Sequence, residues 1–158
     1  MTLERKAQLR RTELRRRTPL ARTSTKRAAT RKPAGTRSTG PSKATKDALW
    51  ARAGGRCEVC GKRLDVGVEF SRHHRLPRRM GGTRNPAINT LPNLLLLCGS
   101  ATITDGCHRE IEVMRSVAYG FGYLLRDGQD PAERPAVIRS QLRWLTTDGQ
   151  YADRPEVA

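Results

Sequence analysis

The chain of 158 residues is short of the side chains that build large cores, with only two Trp, three Tyr and two Phe. It has no apolar run near the roughly 20 residues that span a bilayer. Its basic N-terminus lacks the continuous apolar stretch and small-residue cleavage site of a secretory signal. These absences argue against a membrane or exported protein and set the expectation of a single small domain in the cytoplasm. Acidic residues are also scarce, 15 against 31 Lys and Arg, for a net charge of +16. Histidine occurs three times and cysteine four times. Without an export signal the cysteines are expected to stay reduced, so metal binding is a more natural use for them than disulfides.

The positive charge is unevenly spread. Residues 1–46 hold 15 basic and 2 acidic side chains, Glu4 and Glu13, whereas residues 47–158 hold 16 and 13. The first segment has no aromatic residue, and Leu3, Leu9, Leu14 and Leu20 are its only large aliphatic side chains. It cannot bury enough apolar surface to offset the entropy of ordering, so the expectation is a disordered basic tail. Within it Arg-Arg-Thr-Glu-Leu at 10–14 and Arg-Arg-Thr-Pro-Leu at 16–20 form a weak repeat. A polyanion is the natural partner, because each neutralised phosphate releases condensed counterions. A solvated solubility tail, or an arm for RNA or an acidic protein, fits the charge as well.

Beyond the tail the pattern predicts an α+β domain. A short helix is expected over Thr45–Ala53, with Leu49 and Trp50 facing the core and Gly54-Gly55 ending it. A tight turn at Cys57–Gly61 precedes a strand over Val66–Arg72, a Pro/Gly/Asn-rich loop over Leu76–Pro92, and the apolar run Leu94–Leu97. Ile111, Met114, Val117 and Ala118 recur at helical spacing and predict one helix over His108–Tyr119 with a buried face. Phe121–Arg126 is expected to be a strand, and Trp144–Tyr151, with Asp148-Gly149 between, a hairpin.

Chemistry concentrates in the cysteines and histidines. Cys57 and Cys60 have the spacing that lets two thiolates reach one tetrahedral ion, and Cys98 and Cys107 can close the site. Eight residues separate the second pair, so the segment Gly99–Gly106 must loop out. Such an ion supplies folding free energy that a small core lacks; four ordinary buried cysteines are the bland alternative. His73 and His74 are adjacent, and on a strand adjacent side chains point to opposite faces, so one can bind a metal while the other meets a substrate. His108 follows Cys107 directly at the start of the expected helix.

The set Cys57-x-x-Cys60, His73-His74-Arg75, Asn93-Leu94-Leu95-Leu96-Leu97-Cys98 and Cys107-His108 resembles the HNH endonuclease family in its zinc-stabilised form, common among bacteriophage and bacterial nucleases. The likeness covers residues 47–119, and the run from His73 through Gly81-Gly82 to Cys107-His108 is similar to HNH proteins of actinobacterial phages. It implies a ββα-metal (His-Me finger) nuclease domain with a four-cysteine structural zinc site, leaving residues 120–158 as a C-terminal extension of strand plus hairpin packed on it. By position, His73 and His108 match ligands of a catalytic divalent ion, His74 the general base and Asn93 the central asparagine. Glu112, one helical turn past His108, matches a further ligand in some members; a solvated helix charge is its plainer reading. The implied cofactors are structural Zn2+ and catalytic Mg2+ or Mn2+, with Ni2+ or Co2+ tolerated by two imidazoles.

These residue types suit phosphodiester hydrolysis. A neutral imidazole takes a proton from water near neutral pH. Asn93 is expected to fix the loop and orient His74 through hydrogen bonds. Arg75, Arg78 and Arg79, on the loop carrying Gly81-Gly82, and Arg109 on the helix are expected to grip DNA phosphates, or else to be an ordinary solvated basic surface. No base-reading module is evident, so little sequence specificity is expected. The phage resemblance alone implies terminase subunits as further partners. The rival reading is a non-catalytic zinc-knuckle module that binds nucleic acid; it accounts for charge and cysteines but not for His-His followed by Asn and Cys-His.

Overall fold

Ser42 starts the first helix by accepting a hydrogen bond from the Thr45 amide, satisfying one of the donors a helix leaves unpaired at its N-terminus. The helix, α1 (Lys43–Ala53), ends at Gly54 in the left-handed conformation, φ 62°. The expected tail boundary at residue 46 is therefore too late, since Lys43 is already helical. The structure, a computed structural model, describes residues 40–78 and 85–154. Residues 1–39 of the expected disordered tail, and Arg79 and Gly81-Gly82 of the expected phosphate-gripping loop, lie outside the described residues. Leu49 is fully buried, but Trp50 is 39% exposed and lies against Phe70, with ring centroids 5.2 Å apart.

The described residues form a small α+β unit with two small sheets. In the first, β1 (Phe70–His74) pairs antiparallel with β2 (Leu94–Cys98), setting His73 opposite Leu95 and His74 opposite Leu94. All five residues of β2 are buried. The predicted strand starts four residues too early: Val68 donates its amide to the Asp65 carbonyl across a turn containing Gly67 at φ 87°, and Val66 is fully exposed. Two single-turn 3-10 segments, Pro86–Asn89 and Leu91–Asn93, occupy the end of the expected loop.

The expected long helix is two helices, α2 (Cys107–Val113) and α3 (Arg115–Gly120). Met114 breaks it at φ −101°, ψ 55°. The break turns Met114 and Val117 outward, at 50% and 46% exposure, while Ile111 and Ala118 are buried, so the predicted single apolar face is not formed. A second sheet orders β3 (Ala136–Ile138), β4 (Gln141–Leu145) and β5 (Tyr151–Ala152). The hairpin around Asp148-Gly149 is β4–β5, with Leu145 opposite Tyr151; β3 has no counterpart among the expected elements.

Phe121–Arg126 is not a strand, because its backbone polar groups are engaged elsewhere. The Gly122 carbonyl accepts from Arg75 Nε at 2.7 Å, the Tyr123 carbonyl is 2.9 Å from His73 Nε2, and the Leu125 amide donates to the Arg75 carbonyl. Tyr123, Leu124 and Leu125 are nevertheless buried.

Arg75 is the residue that binds this segment to the first sheet. Its side chain is fully buried, and besides Gly122 it donates to the carbonyls of Pro92, Pro131, Arg134 and Pro135. Burial pushes its pKa down to about 9, which leaves it cationic at neutral pH. The expectation that Arg75 grips DNA is therefore corrected: every arm of its guanidinium is inside the protein. Replacing Arg75 with Met would leave five carbonyls without their donor. We expect a loss of about 3 to 5 kcal/mol, as when a buried charged network loses one partner, measured by chemical denaturation. A loss under about 1 kcal/mol would contradict this role.

Candidate functional site

Four sulfurs come together where the turn after α1 meets the end of β2 and the start of α2. The ligand atoms of Cys57, Cys60, Cys98 and Cys107 all lie within 4.8 Å of one another. The first pair sits on a tight turn closed by the Cys57 amide on the Lys62 carbonyl, 2.8 Å, and the Gly61 amide on the Cys57 carbonyl, 2.9 Å. The Cys107 amide lies 3.5 Å from Cys98 Sγ and donates to it. No disulfide joins them.

The eight-residue separation of Cys98 and Cys107 is resolved by two glycines. A Cβ on Gly99 would stand 2.5 Å from the Asp105 carbonyl oxygen, and one on Gly106 would stand 2.7 Å from the Cys98 carbonyl oxygen. Both have positive φ, 74° and 116°. The two backbones therefore touch where no side chain fits, and residues 100–105 leave and return through one narrow neck. For the sulfurs the spacing is effectively Cys-Gly-Gly-Cys.

Electrostatics show what this cluster needs. Cys57 is held down to about 4, first by the hydrogen bond it accepts from the Cys107 thiol, while Cys107 is pushed far up by the same bond and Cys98 is raised by burial. Sulfurs this close cannot all be thiolates on their own, since each charge opposes the next. A divalent cation among them removes that opposition, and four thiolates are the usual donor set of a closed structural metal site.

A second cluster lies one residue further along. His73, His108 and Glu112 also place one ligand atom each within 4.8 Å of the others, and the two imidazole centroids are 4.9 Å apart. The hydrogen bonds around the rings decide which nitrogens are available. The Tyr123 carbonyl can only accept, so His73 carries its proton on Nε2 and offers Nδ1. Ser71 Oγ donates to the Gly99 carbonyl at 2.7 Å and, with its one proton used, accepts from His108 Nδ1 at 2.6 Å; His108 thus offers Nε2. Desolvation lowers the pKa of His73 to about 3 and also lowers that of His108, so both are neutral at pH 7 as metal ligands must be. Glu112 Oε2 also meets Arg115 at 2.7 Å in a partly exposed pair, which holds it only weakly. Two imidazoles and a carboxylate suit a borderline divalent ion such as Mn2+, Co2+ or Ni2+ better than Mg2+.

His74 projects to the other side of β1, half-buried, with Nε2 3.1 Å from Asn89 Oδ1. Desolvation lowers its pKa, and the hydrogen bond to Asn89 opposes that shift. Asn93 is fully buried and does not bond His74 as expected. Its Oδ1 accepts from the Leu76 amide at 2.7 Å and its Nδ2 donates to the Ile88 carbonyl at 2.8 Å, so its direct hold is on the loop. Arg78 and Arg109 are exposed, and Arg109 also donates to the Ala101 carbonyl at 3.3 Å.

Sequence reasoning passed over Ser71, Asn89 and the Tyr123 carbonyl. Ser71 was within reach of it, because positions two apart on a strand share a face and Ser71 is two residues before His73. Comparison with protein-family models, with curated proteins and with solved structures found no match to this chain.

Two variants test the glycine neck. Deleting residues 100–105, which joins Gly99 to Gly106, is expected to keep about one tightly bound ion per chain on the cysteines, measured by elemental analysis. Gly106→Val, which alters no ligand, is expected to lower that content at least severalfold. The reverse pattern would show that the excursion itself builds the site.

Proposed function

We propose that this chain is a metal-dependent endonuclease of the HNH type that hydrolyses DNA phosphodiester bonds. The observation that carries the reading is the cluster of His73, His108 and Glu112 around one point, with His74 next to His73 in sequence. The order β1, β2, α2 is that of a ββα-metal finger, and the four-cysteine cluster suits a structural zinc ion. A divalent ion held by His73, His108 and Glu112 would act as a Lewis acid toward the phosphate and the leaving oxygen.

The roles of the chain's own residues follow from their placement. A water molecule gives one proton to neutral His74 as its oxygen forms a bond to phosphorus; the bond from phosphorus to the 3′ oxygen breaks, and that oxygen takes a proton from solvent. Arg78, exposed and four residues after His74, and Arg109, exposed on α2, are available to phosphates flanking the cut. Residues 1–46 add sequence-blind affinity through charge. The non-catalytic zinc-knuckle alternative assigns no role to two imidazoles gathered with a carboxylate beside the sulfur cluster.

Relaxation of supercoiled plasmid with Mn2+ or Mg2+ tests the reading. Activity is expected to vanish with chelator and to fall about 100- to 10,000-fold in His74→Ala, the usual contribution of a general base, with the cysteine-bound ion and DNA affinity kept. An inactive wild-type chain that binds plasmid equally well with and without metal would favour the binding module instead.

A further inference from the structure

We infer that Asn89 is the positioning residue for His74, setting which ring nitrogen receives the proton during cleavage. The inference rests on the nuclease reading for its catalytic consequence, but the geometry it invokes is independent of that reading.

His74 Nε2 lies 3.1 Å from Asn89 Oδ1. An amide oxygen only accepts, so the imidazole hydrogen is on Nε2 and the lone pair is on Nδ1. The bond also stops the ring from turning about its last torsion, which is soft for a histidine. When Nδ1 takes a proton the ring becomes cationic, and a hydrogen bond from a cation to a fixed oxygen is stronger than one from a neutral ring. Asn89 therefore aims the base before the transfer and supports it afterwards.

Asn89 can do this because its own place is secured. It ends the 3-10 segment Pro86–Asn89, in which the Asn85 side chain accepts from the Ala87 amide at 2.9 Å and Thr90 closes the turn on the Ala87 carbonyl. Ile88, the residue before it, is buried with Leu76 and Leu125. The Ile88 carbonyl takes the 2.8 Å hydrogen bond from Asn93. A chain of contacts thus runs from Asn93 through Ile88 to Asn89 and on to His74. The central asparagine acts on the base at one remove, and both of its amide ends are already occupied by backbone.

The test uses the full chain with its cysteine-bound ion and compares Asn89→Ala and Asn89→Asp with the parent. Long-range proton–nitrogen NMR of the His74 ring reads the tautomer directly. We expect the parent to carry its hydrogen on Nε2, Asn89→Ala to populate both tautomers, and Asn89→Asp, which keeps an acceptor oxygen, to restore the Nε2 form. In plasmid cleavage with Mn2+, Asn89→Ala is expected to lower kcat by roughly 10- to 100-fold, the usual effect of losing an orienting partner, with KM and metal content unchanged and Asn89→Asp recovering most of the rate. A parent ring protonated on Nδ1, or an Asn89→Ala variant with unaltered tautomer and kcat, overturns the proposal. If the tautomer responds as expected but no variant, nor the parent, cleaves DNA, the nuclease reading fails while the assignment of Asn89 to His74 stands.

Discussion

The buried guanidinium of Arg75 is the interaction on which the rest of the arrangement hangs. A cation with no carboxylate ion-paired to it among the described residues is costly to bury. Here five carbonyl dipoles from Pro92, Gly122, Pro131, Arg134 and Pro135 replace its hydration. Main-chain bonds hold the same residue on both sides, its amide on the Asn93 carbonyl and its carbonyl receiving the Leu125 amide. The residue directly after His73-His74 is thereby locked to the segment whose Tyr123 carbonyl orients His73. A second buried network supports the other side of the sheet: Arg52 and Glu58 form a fully buried ion pair, with Glu58 also accepting from the Leu96 amide and the Tyr151 hydroxyl. With few aromatics available, charged groups saturated by hydrogen bonds take the place of a larger apolar core.

Charge alone supports proximity to nucleic acid and nothing more specific. Proximity of imidazoles supports chemistry, and here the hydrogen-bond partners matter more than the ligands themselves. Tyr123, Ser71 and Asn89 each satisfy one nitrogen of one histidine, leaving Nδ1 of His73, Nε2 of His108 and Nδ1 of His74. A structural histidine is usually spent on such a bond; His73 and His108 each keep a second nitrogen beside the other and beside Glu112.

How much of this was legible depended on whether the controlling interaction was local. The first helix was readable because its stop, Gly54, is local; β2 was readable because full burial demands the continuous run Leu94–Leu97. The cysteine quartet was readable by spacing, although the close approach of Gly99 and Gly106 that reconciles its wide second gap is a contact between residues seven apart, visible only in three dimensions. Phe121–Arg126 has strand composition but lends its carbonyls to Arg75 and His73, partners 47 and 50 residues away. Arg75 read as a surface cation for the same reason, since nothing near it in sequence announces its acceptors. The helix break at Met114 follows no Pro or Gly, and the apolar spacing across it was misleading. Of the candidate site, the histidines and cysteines were legible by type; Asn89 was not, because one asparagine in a loop rich in them carries no signal until the fold places it beside His74.

The two clusters are coupled through covalent neighbours, and the coupling is one-sided. Cys107 belongs to the sulfur cluster and His108, the next residue, to the imidazole cluster. Gly99, next to Cys98, supplies the carbonyl that fixes Ser71, and Ser71 fixes His108. Whatever holds Cys98 and Cys107 together therefore also sets the position and tautomer of His108. The reverse dependence is weak: His73 is already oriented by Tyr123, and no sulfur relies on an imidazole for a hydrogen bond among the described residues. An ion among the cysteines would therefore help to set the geometry of the second cluster, whereas one among the histidines would leave the hydrogen bonds of the first unchanged. One closed cluster of sulfurs supporting one more open cluster of imidazoles lets a small chain with little core hold the second set of side chains in place.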